Sequence, residues 1–236
     1  MTDPTAPGPL AATAALMADP ARARMLAALM GGEAMTAGEL ARIAGVVPAT
    51  ASGHLARLAE GGLIIVHAQG RHRYHRLASE EVAAVIETLG GLSARIAPPR
   101  PWKHGETARQ ARLCWNHLAG RLGVALHERL TGVGWLTPSP GGWDASMEGR
   151  TRLAATGVDL DRAGKAPRFA CDCMDWSERR PHLAGGLGKE IARAWFDRGW
   201  LRRVPAECES DVLAKRRVSV TPEGARGMKD ALGFDA

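Results

Sequence analysis

The stretch Thr36–Leu77 constrains the fold most, because helix starts, helix stops and strand signals follow one another there with no spare residues. Thr36-Ala37-Gly38-Glu39 has the form of a capping box: the threonine hydroxyl accepts from the amide three residues on, while the glutamate reaches back. The helix it opens turns Leu40 and Ile43 inward and stops at Gly45. After a tight turn, Pro48 to Glu60 predicts a second helix. Its Ala51, Leu55 and Leu58 recur at i, i+4 and i+7, leaving Ala49, Thr50, Gly53 and Arg57 on the outer side. Gly61-Gly62 ends it. Leu63–Val66 and Arg73–Leu77 then read as strands around a polar turn, His67–His72, that contains Gly70.

The flanks fit a small helical domain. Residues 1–9 read as a flexible tail, followed by a short apolar helix over about 10–18. Asp19-Pro20 supplies the N-cap and first position of a helix running to about Met30. Ser79-Glu80-Glu81 caps a further helix with an apolar stripe at Val82, Val85, Ile86, Leu89 and Leu92. Three prolines in 97–105 mark a linker, and all seven tryptophans and all four cysteines lie beyond residue 100. The expected organisation is a winged helix-turn-helix domain over 10–96 and a second domain over 106–236. The fold class is mainly α with small β-hairpins (α+β).

The net charge of +6 matters through its distribution. Residues 1–98 carry eight Arg and eight Asp or Glu, yet 40–77 hold five Arg (Arg42, Arg57, Arg71, Arg73, Arg76) against one acid, Glu60. A local basic stripe on a neutral domain is a DNA-binding pattern. Helix, turn, helix and basic-tipped hairpin also supply the geometry: the second helix enters the major groove, where base edges are distinguishable, and the tip meets phosphates or the minor groove.

These residues carry a family resemblance. Thr36–Gly45, Pro48-Ala-Thr-Ala-Ser-Gly-His-Leu-Ala-Arg-Leu58, Glu60-Gly-Gly-Leu-Ile64 and Gly70-Arg-His-Arg-Tyr-His-Arg-Leu77 resemble, in order and spacing, the ArsR/SmtB winged-helix repressors. The likeness covers roughly residues 10–96. It implies a homodimer, closed by the first helix and the Val82–Ile96 helix, that binds double-stranded DNA at a palindromic operator and leaves it on sensing an effector. The implied DNA-reading set is Pro48, Ala49, Thr50, Ser52, Gly53, His54 and Arg57, with Arg71, His72 and Arg73 in the wing. Val47 departs from the family, which usually places a Ser-type cap there. Taken singly, Thr50 and Ser52 could equally bond the local backbone, Arg57 be a solvated charge, and His54 be packed.

The second domain contains a duplication. His117-Leu-Ala-Gly-Arg-Leu-Gly123 recurs 65 residues later as His182-Leu-Ala-Gly-Gly-Leu-Gly188, and the same offset maps Gly134-Trp135-Leu136 onto Gly199-Trp200-Leu201. Each unit reads as a helix, a strand beginning at Gly-Trp-Leu and a further helix, so that two winged-helix-like units pack together. Trp200–Val204 and Arg217–Val220 are the expected hairpin of the second unit.

Two metal sites common among the resembled repressors are absent: residues 1–113 contain no Cys, and Val82–Ile96 contains no His or Asp. Effector sensing therefore falls to the second domain. The candidates there are Cys114, Trp115 and His117, with Cys171, Cys173, Asp175, Trp176 and His182. Thiolates and imidazoles suit zinc or copper, and Cys114 and His117, three apart, would share a helix face. Cys114, His117, Cys173 and His182 are the candidate metal ligands. Cys114 with Cys173 is also a candidate redox couple, since a Cys-x-Cys disulfide is sterically poor. Trp115 and Trp176 could wall a pocket for a small organic effector. Structural roles for the same residues stay open.

The expectation is a non-enzymatic, effector-responsive transcriptional repressor that requires no cofactor for DNA binding, with a metal ion possible. The alternative is a DNA-binding regulator whose second domain adds DNA or protein contacts through Arg202, Arg203, Lys215, Arg216 and Arg217, without sensing a ligand. No apolar run approaches the roughly 20 residues of a bilayer span, and no secretion signal is legible. The expected location is the cytoplasm, where thiols stay reduced.

Overall fold

A computed structural model describes residues 7–96, 105–205, 211–213 and 215–235. Residues 1–6 of the expected tail, most of the linker, Trp102 and Cys208 lie outside the described residues. The chain packs as two compact units, divided between Ile86 and Glu87, with Lys215 joining the first and the chain from Arg216 onward the second.

The first unit opens with α1 (Pro7–Ala18), which starts three residues before the expected boundary, so Pro7, Gly8 and Pro9 are helical rather than tail. Asp19 caps α2 (Pro20–Leu29) by accepting from the Ala21 and Arg22 amides. A two-residue strand, β1 (Met35–Thr36), runs into the expected capping box. Glu39 N donates to Thr36 Oγ1 at 3.3 Å and Thr36 N donates to Glu39 Oε2 at 2.8 Å, starting α3 (Ala37–Ala44). Gly45 stops it at φ 71°. The helix α4 (Pro48–Glu60) begins where expected, although Val47 provides no side-chain cap.

The wing strands are longer than expected. β2 (Ile64–Gln69) and β3 (His72–Leu77) pair antiparallel from Ile64↔Leu77 to Gln69↔His72. The turn is therefore only Gly70-Arg71, not His67–His72. Gly70 at φ 59° allows a two-residue loop whose twist matches the strands. β1 adds to the other side of β3, completing a three-stranded sheet. Met25, Leu29, Leu40, Leu55, Leu58 and Ile64 form the buried centre. The long α5 (Glu80–Ile96) follows.

In the second unit α6 (Gly105–Gln110) leads into the duplication. The first repeat is β4 (Arg112–Cys114), β5 (His117–Ala119), α7 (Gly120–Gly132), β6 (Leu136–Ser139), β7 (Gly142–Ala145) and α8 (Met147–Ala155). After α9 (Leu160–Gly164) the second repeat is β8 (Cys171–Met174), β9 (Pro181–Ala184), α10 (Gly185–Asp197), β10 (Leu201–Arg203), β11 (Val218–Val220) and α11 (Pro222–Leu232). Helix, wing-like hairpin and following helix recur as expected, and β10 pairs with β11 as the expected hairpin.

The opening of each repeat differs from expectation. His117-Leu-Ala and His182-Leu-Ala are strands of a leading hairpin, not the first turn of a helix. The helix starts at the next residue, Gly120 or Gly185, where φ values of 77° and 79° turn the chain out of the strand. Trp135 and Trp200 are buried at equivalent places beneath the second hairpins. The helices pack crosswise: α7 lies on β9 of the other repeat and α10 on β5.

Candidate functional site

The candidate nucleic-acid face lies on α4 and the wing. Burying Ala51, Leu55 and Leu58 fixes the rotation of α4, which exposes Pro48, Ala49, Thr50, Ser52, Gly53 and Arg57. Nothing lies within 4 Å of the position a Cβ would take on Gly53, so this part of the helix offers close access to its backbone. Ser52 Oγ donates to Pro48 O at 3.0 Å, yet the residue stays exposed. His54 is turned away: half-buried, with Nδ1 3.4 Å from Arg22 Nη1 and 3.8 Å from Asp19 Oδ1. Arg71, His72 and Arg73 are all exposed at the wing tip.

Glu39, at the start of α3, is held in place from two sides. Lys215 Nζ donates to its Oε1 at 2.9 Å while Oε2 closes the capping box. Burial works to raise this carboxyl, but the Thr36 amide and Lys215 outweigh it and hold the group below its ordinary range.

A second constellation sits in the duplicated unit. Cys114 faces His117 across the first leading hairpin, and Cys173 faces His182 across the second. The expected Cys114/His117 pair is therefore real as a juxtaposition, but it is a cross-strand pair, not a helical one. The Trp115-Asn116 loop that closes it holds Trp115 at φ 58°, a conformation costing a non-glycine residue about 1–3 kcal/mol. Crosswise packing then brings the hairpins together. The histidine rings lie 5.1 Å apart between centroids, and the donor atoms of Cys114, His117, Cys173 and His182 all fall within 4.8 Å of one another. All four residues are buried.

Oxygen atoms lie against the outer nitrogen of each histidine. His117 Nδ1 is 3.3 Å from Asn116 Oδ1, and His182 Nδ1 faces Asp175 Oδ2 at 3.5 Å. His117 Nε2 and both ring nitrogens of His182 have no hydrogen-bond partner. A buried polar atom left so costs about 1–3 kcal/mol. Hydrogen bonding from Cys173 pulls the Cys114 thiol well below its ordinary range against the effect of burial, with the two histidines and Arg216 acting the same way. The Cys173 thiol is pushed up by that same contact and by burial. Burial pushes the His117 imidazole down, toward the neutral form.

One neighbour was not singled out from sequence. Glu87 of α5 places Oε2 3.6 Å from Cys173 Sγ and Oε1 3.8 Å from His117 Nε2. Burial, then the Cys114 charge, raises its carboxyl to about 10, so it is protonated at neutral pH. Nothing in the local sequence marks it: Ala83 and Gly91, four residues to either side on this helix, are buried, while Glu87 itself is half-buried.

The remaining candidates are not among these four donors, although Asp175 touches His182. Asp175 is wholly buried in a pair with Arg112, whose Nη2 donates at 2.7 Å, and it also accepts from the Gly120 amide at 2.6 Å. Burial acts to raise Asp175, but Arg112 leads the groups that bring it to about 2. The Arg112 guanidinium lies over the Trp176 ring, 4.7 Å from its centroid. Trp115 is half-buried, and Cys171 is buried with its thiol pushed up by burial. The basic set expected to add surface charge is broken up: Arg216 and Arg217 are buried and Lys215 is engaged with Glu39, leaving Arg202 and Arg203 exposed.

A winged helix-turn-helix presenting an exposed helix face and a basic wing defines the class: a DNA-binding transcriptional regulator. Residues 17–67 match the family model described as a helix-turn-helix domain. The chain is 37% identical over 199 residues to YdfF of Bacillus subtilis (strain 168), an uncharacterized HTH-type transcriptional regulator, covering 83% of this chain and 88% of YdfF. It is 37% identical over 73 residues to the HTH-type transcriptional regulator YgaV of Escherichia coli (strain K12), covering 31% of this chain and 74% of YgaV. Among solved structures it is similar to HlyU from Vibrio cholerae N16961, at 27% identity and a TM-score of 0.35, over 38% of this chain and 97% of that one. The chain belongs to the HTH-type transcriptional regulators.

Proposed function

We propose that the protein is a homodimeric repressor that holds a palindromic operator through α4 and the wing and releases it when the duplicated unit senses an effector. The observation that carries the DNA reading is the outer face of α4: Pro48, Ala49, Thr50, Ser52, Gly53 and Arg57 are exposed together beside a wing tipped by Arg71, His72 and Arg73. Arg57 and the polar side chains read base edges, while the wing arginines meet phosphates. Dimerisation is supported by apolar surface that a lone chain has no reason to expose. On α5, Val85, Leu89, Leu92 and Ile96 are 46, 45, 41 and 74% exposed at i, i+4, i+7 and i+11, and Leu10 on α1 is 75% exposed.

Sensing is supported by the convergence of two thiols and two imidazoles in the duplicated unit, a set suited to a metal, a thiol oxidant or a small molecule. No helix among the described residues is long and apolar enough to cross a membrane, and the protein acts on DNA in the cytoplasm. The test is binding of the purified full chain to its own upstream DNA and to random DNA across a salt series. A marked preference for the former, with affinity falling steeply as salt rises, is expected. Equal binding to both at moderate salt would end this reading.

A further inference from the structure

We propose that Cys114, His117, Cys173 and His182 form a tetrahedral site for one divalent thiophilic ion of the zinc class, built from one Cys–His pair in each repeat. This deepens the sensing reading above by naming the ligand class and the four donors.

The first argument is positional. Cys114↔His117 and Cys173↔His182 are direct cross-strand partners in equivalent hairpins. The equivalence is hidden in the sequence because two residues separate the pair in one hairpin and eight in the other. Directly opposed residues hold their Cβ atoms about 4.5–5.5 Å apart, so each hairpin offers two ligands from a rigid frame. The pseudo-twofold packing of α7 on β9 and α10 on β5 then sets the two pairs against each other.

The second argument concerns the unsatisfied atoms. His117 Nδ1 lies 3.3 Å from Asn116 Oδ1 and His182 Nδ1 faces Asp175 Oδ2 at 3.5 Å, while the buried His117 Nε2 and both ring nitrogens of His182 have no hydrogen-bond partner. Oxygens facing the outer nitrogen are the arrangement that orients metal-bound histidines. A disulfide between Cys114 and Cys173 would satisfy the sulfurs and leave both imidazoles unexplained.

Size and charge select the ion. Bonds of about 2.0–2.3 Å from nitrogen and sulfur define a tetrahedron with edges near 3.3–3.8 Å. The four donors, all within 4.8 Å of one another, need only a small contraction to reach it. A divalent ion with two thiolates and two neutral imidazoles is a neutral set, the least costly to bury. In forming it, two S–H bonds give way to two S–metal bonds and the protons pass to solvent. A tetrahedral S2N2 donor set favours zinc over hard ions such as magnesium or calcium.

The test is titration of the reduced, metal-free full chain with Co(II), followed by Zn(II), without DNA. Expected are one Co(II) per chain, the intense visible bands of a four-coordinate ion, a charge-transfer band of two-thiolate strength, and loss of all of them on adding zinc. Cys171→Ser should leave the spectrum unchanged. Cys114→Ser and Cys173→Ser should each weaken binding by at least about 100-fold. The wild-type spectrum decides even where a variant fails to fold. A pale six-coordinate spectrum, stoichiometry far below one, or equal loss with Cys171→Ser would overturn the site. Because no DNA is present, failure here leaves the operator reading to its own test, and failure of operator binding leaves the site standing.

Discussion

Adding one methyl group at either of two equivalent glycines should destabilise the duplicated unit and distort its Cys/His cluster. A Cβ on Gly123 would lie 2.4 Å from Leu118 O and 3.4 Å from His182 Cβ; on Gly188 it would lie 2.4 Å from Leu183 O and 3.1 Å from His117 Cβ. Carbon and carbonyl oxygen rest no closer than about 3.3 Å, so each helix must retreat by about 1 Å. Overpacking of this kind costs about 3 kcal/mol. Alanine is favoured over glycine inside a helix by about 1 kcal/mol, which leaves a net loss of about 2 kcal/mol. In a chain of this size that corresponds to a fall in Tm of about 4–8 °C. Differential scanning calorimetry of Gly123→Ala and Gly188→Ala measures it, with Gly38→Ala as control. Gly38 is exposed on α3 with nothing within 4 Å, so its alanine variant should hold or gain stability. Unchanged Tm in both site variants, or an equal loss at Gly38→Ala, would refute the steric reasoning. The same two variants should bind Co(II) more weakly, since the added methyl presses on the opposite repeat's histidine.

Arg57→Ala should cost about 1–3 kcal/mol of operator affinity and relax sequence preference, whereas Arg71→Ala should weaken all DNA equally and lower the salt slope by about 1, both read by fluorescence anisotropy. Glu39 is held below its ordinary value of 4.5, so its contribution to stability is complete above that pH and drains away as pH falls beneath it. The urea midpoint of Glu39→Gln should therefore lie below wild type at pH 7 and converge with it toward pH 3; a constant gap would contradict the assignment. Leu89→Glu combined with Leu92→Glu should yield monomers in sedimentation velocity and reduce operator affinity; a dimer of unchanged stability would place the interface elsewhere.

The parts legible in the chain alone are those governed by interactions reaching a few residues. The Thr36–Glu39 box, the left-handed Gly45, the Pro48 start and the buried triplet Ala51, Leu55, Leu58 all depend on local hydrogen bonds or helical period. They set α4 and its outward face before any tertiary contact is considered. The duplication was legible for a similar reason: Gly123 and Gly188 sit against strand carbonyls that tolerate no side chain, and Trp135 and Trp200 fill equivalent places in the core.

Only the tertiary structure decided what the Cys and His residues are to one another. Pairing across a hairpin depends on register and loop length, and loops of different length concealed that Cys114 and Cys173 occupy equivalent places. Whether His117 and His182 open helices or end strands was settled by Gly120 and Gly185 in left-handed conformations and by helices packing across the repeats. Glu87, Arg216 and Arg217 look from sequence like ordinary surface charges. Their burial comes from elements far away in the chain, and no local pattern encodes contacts of that range.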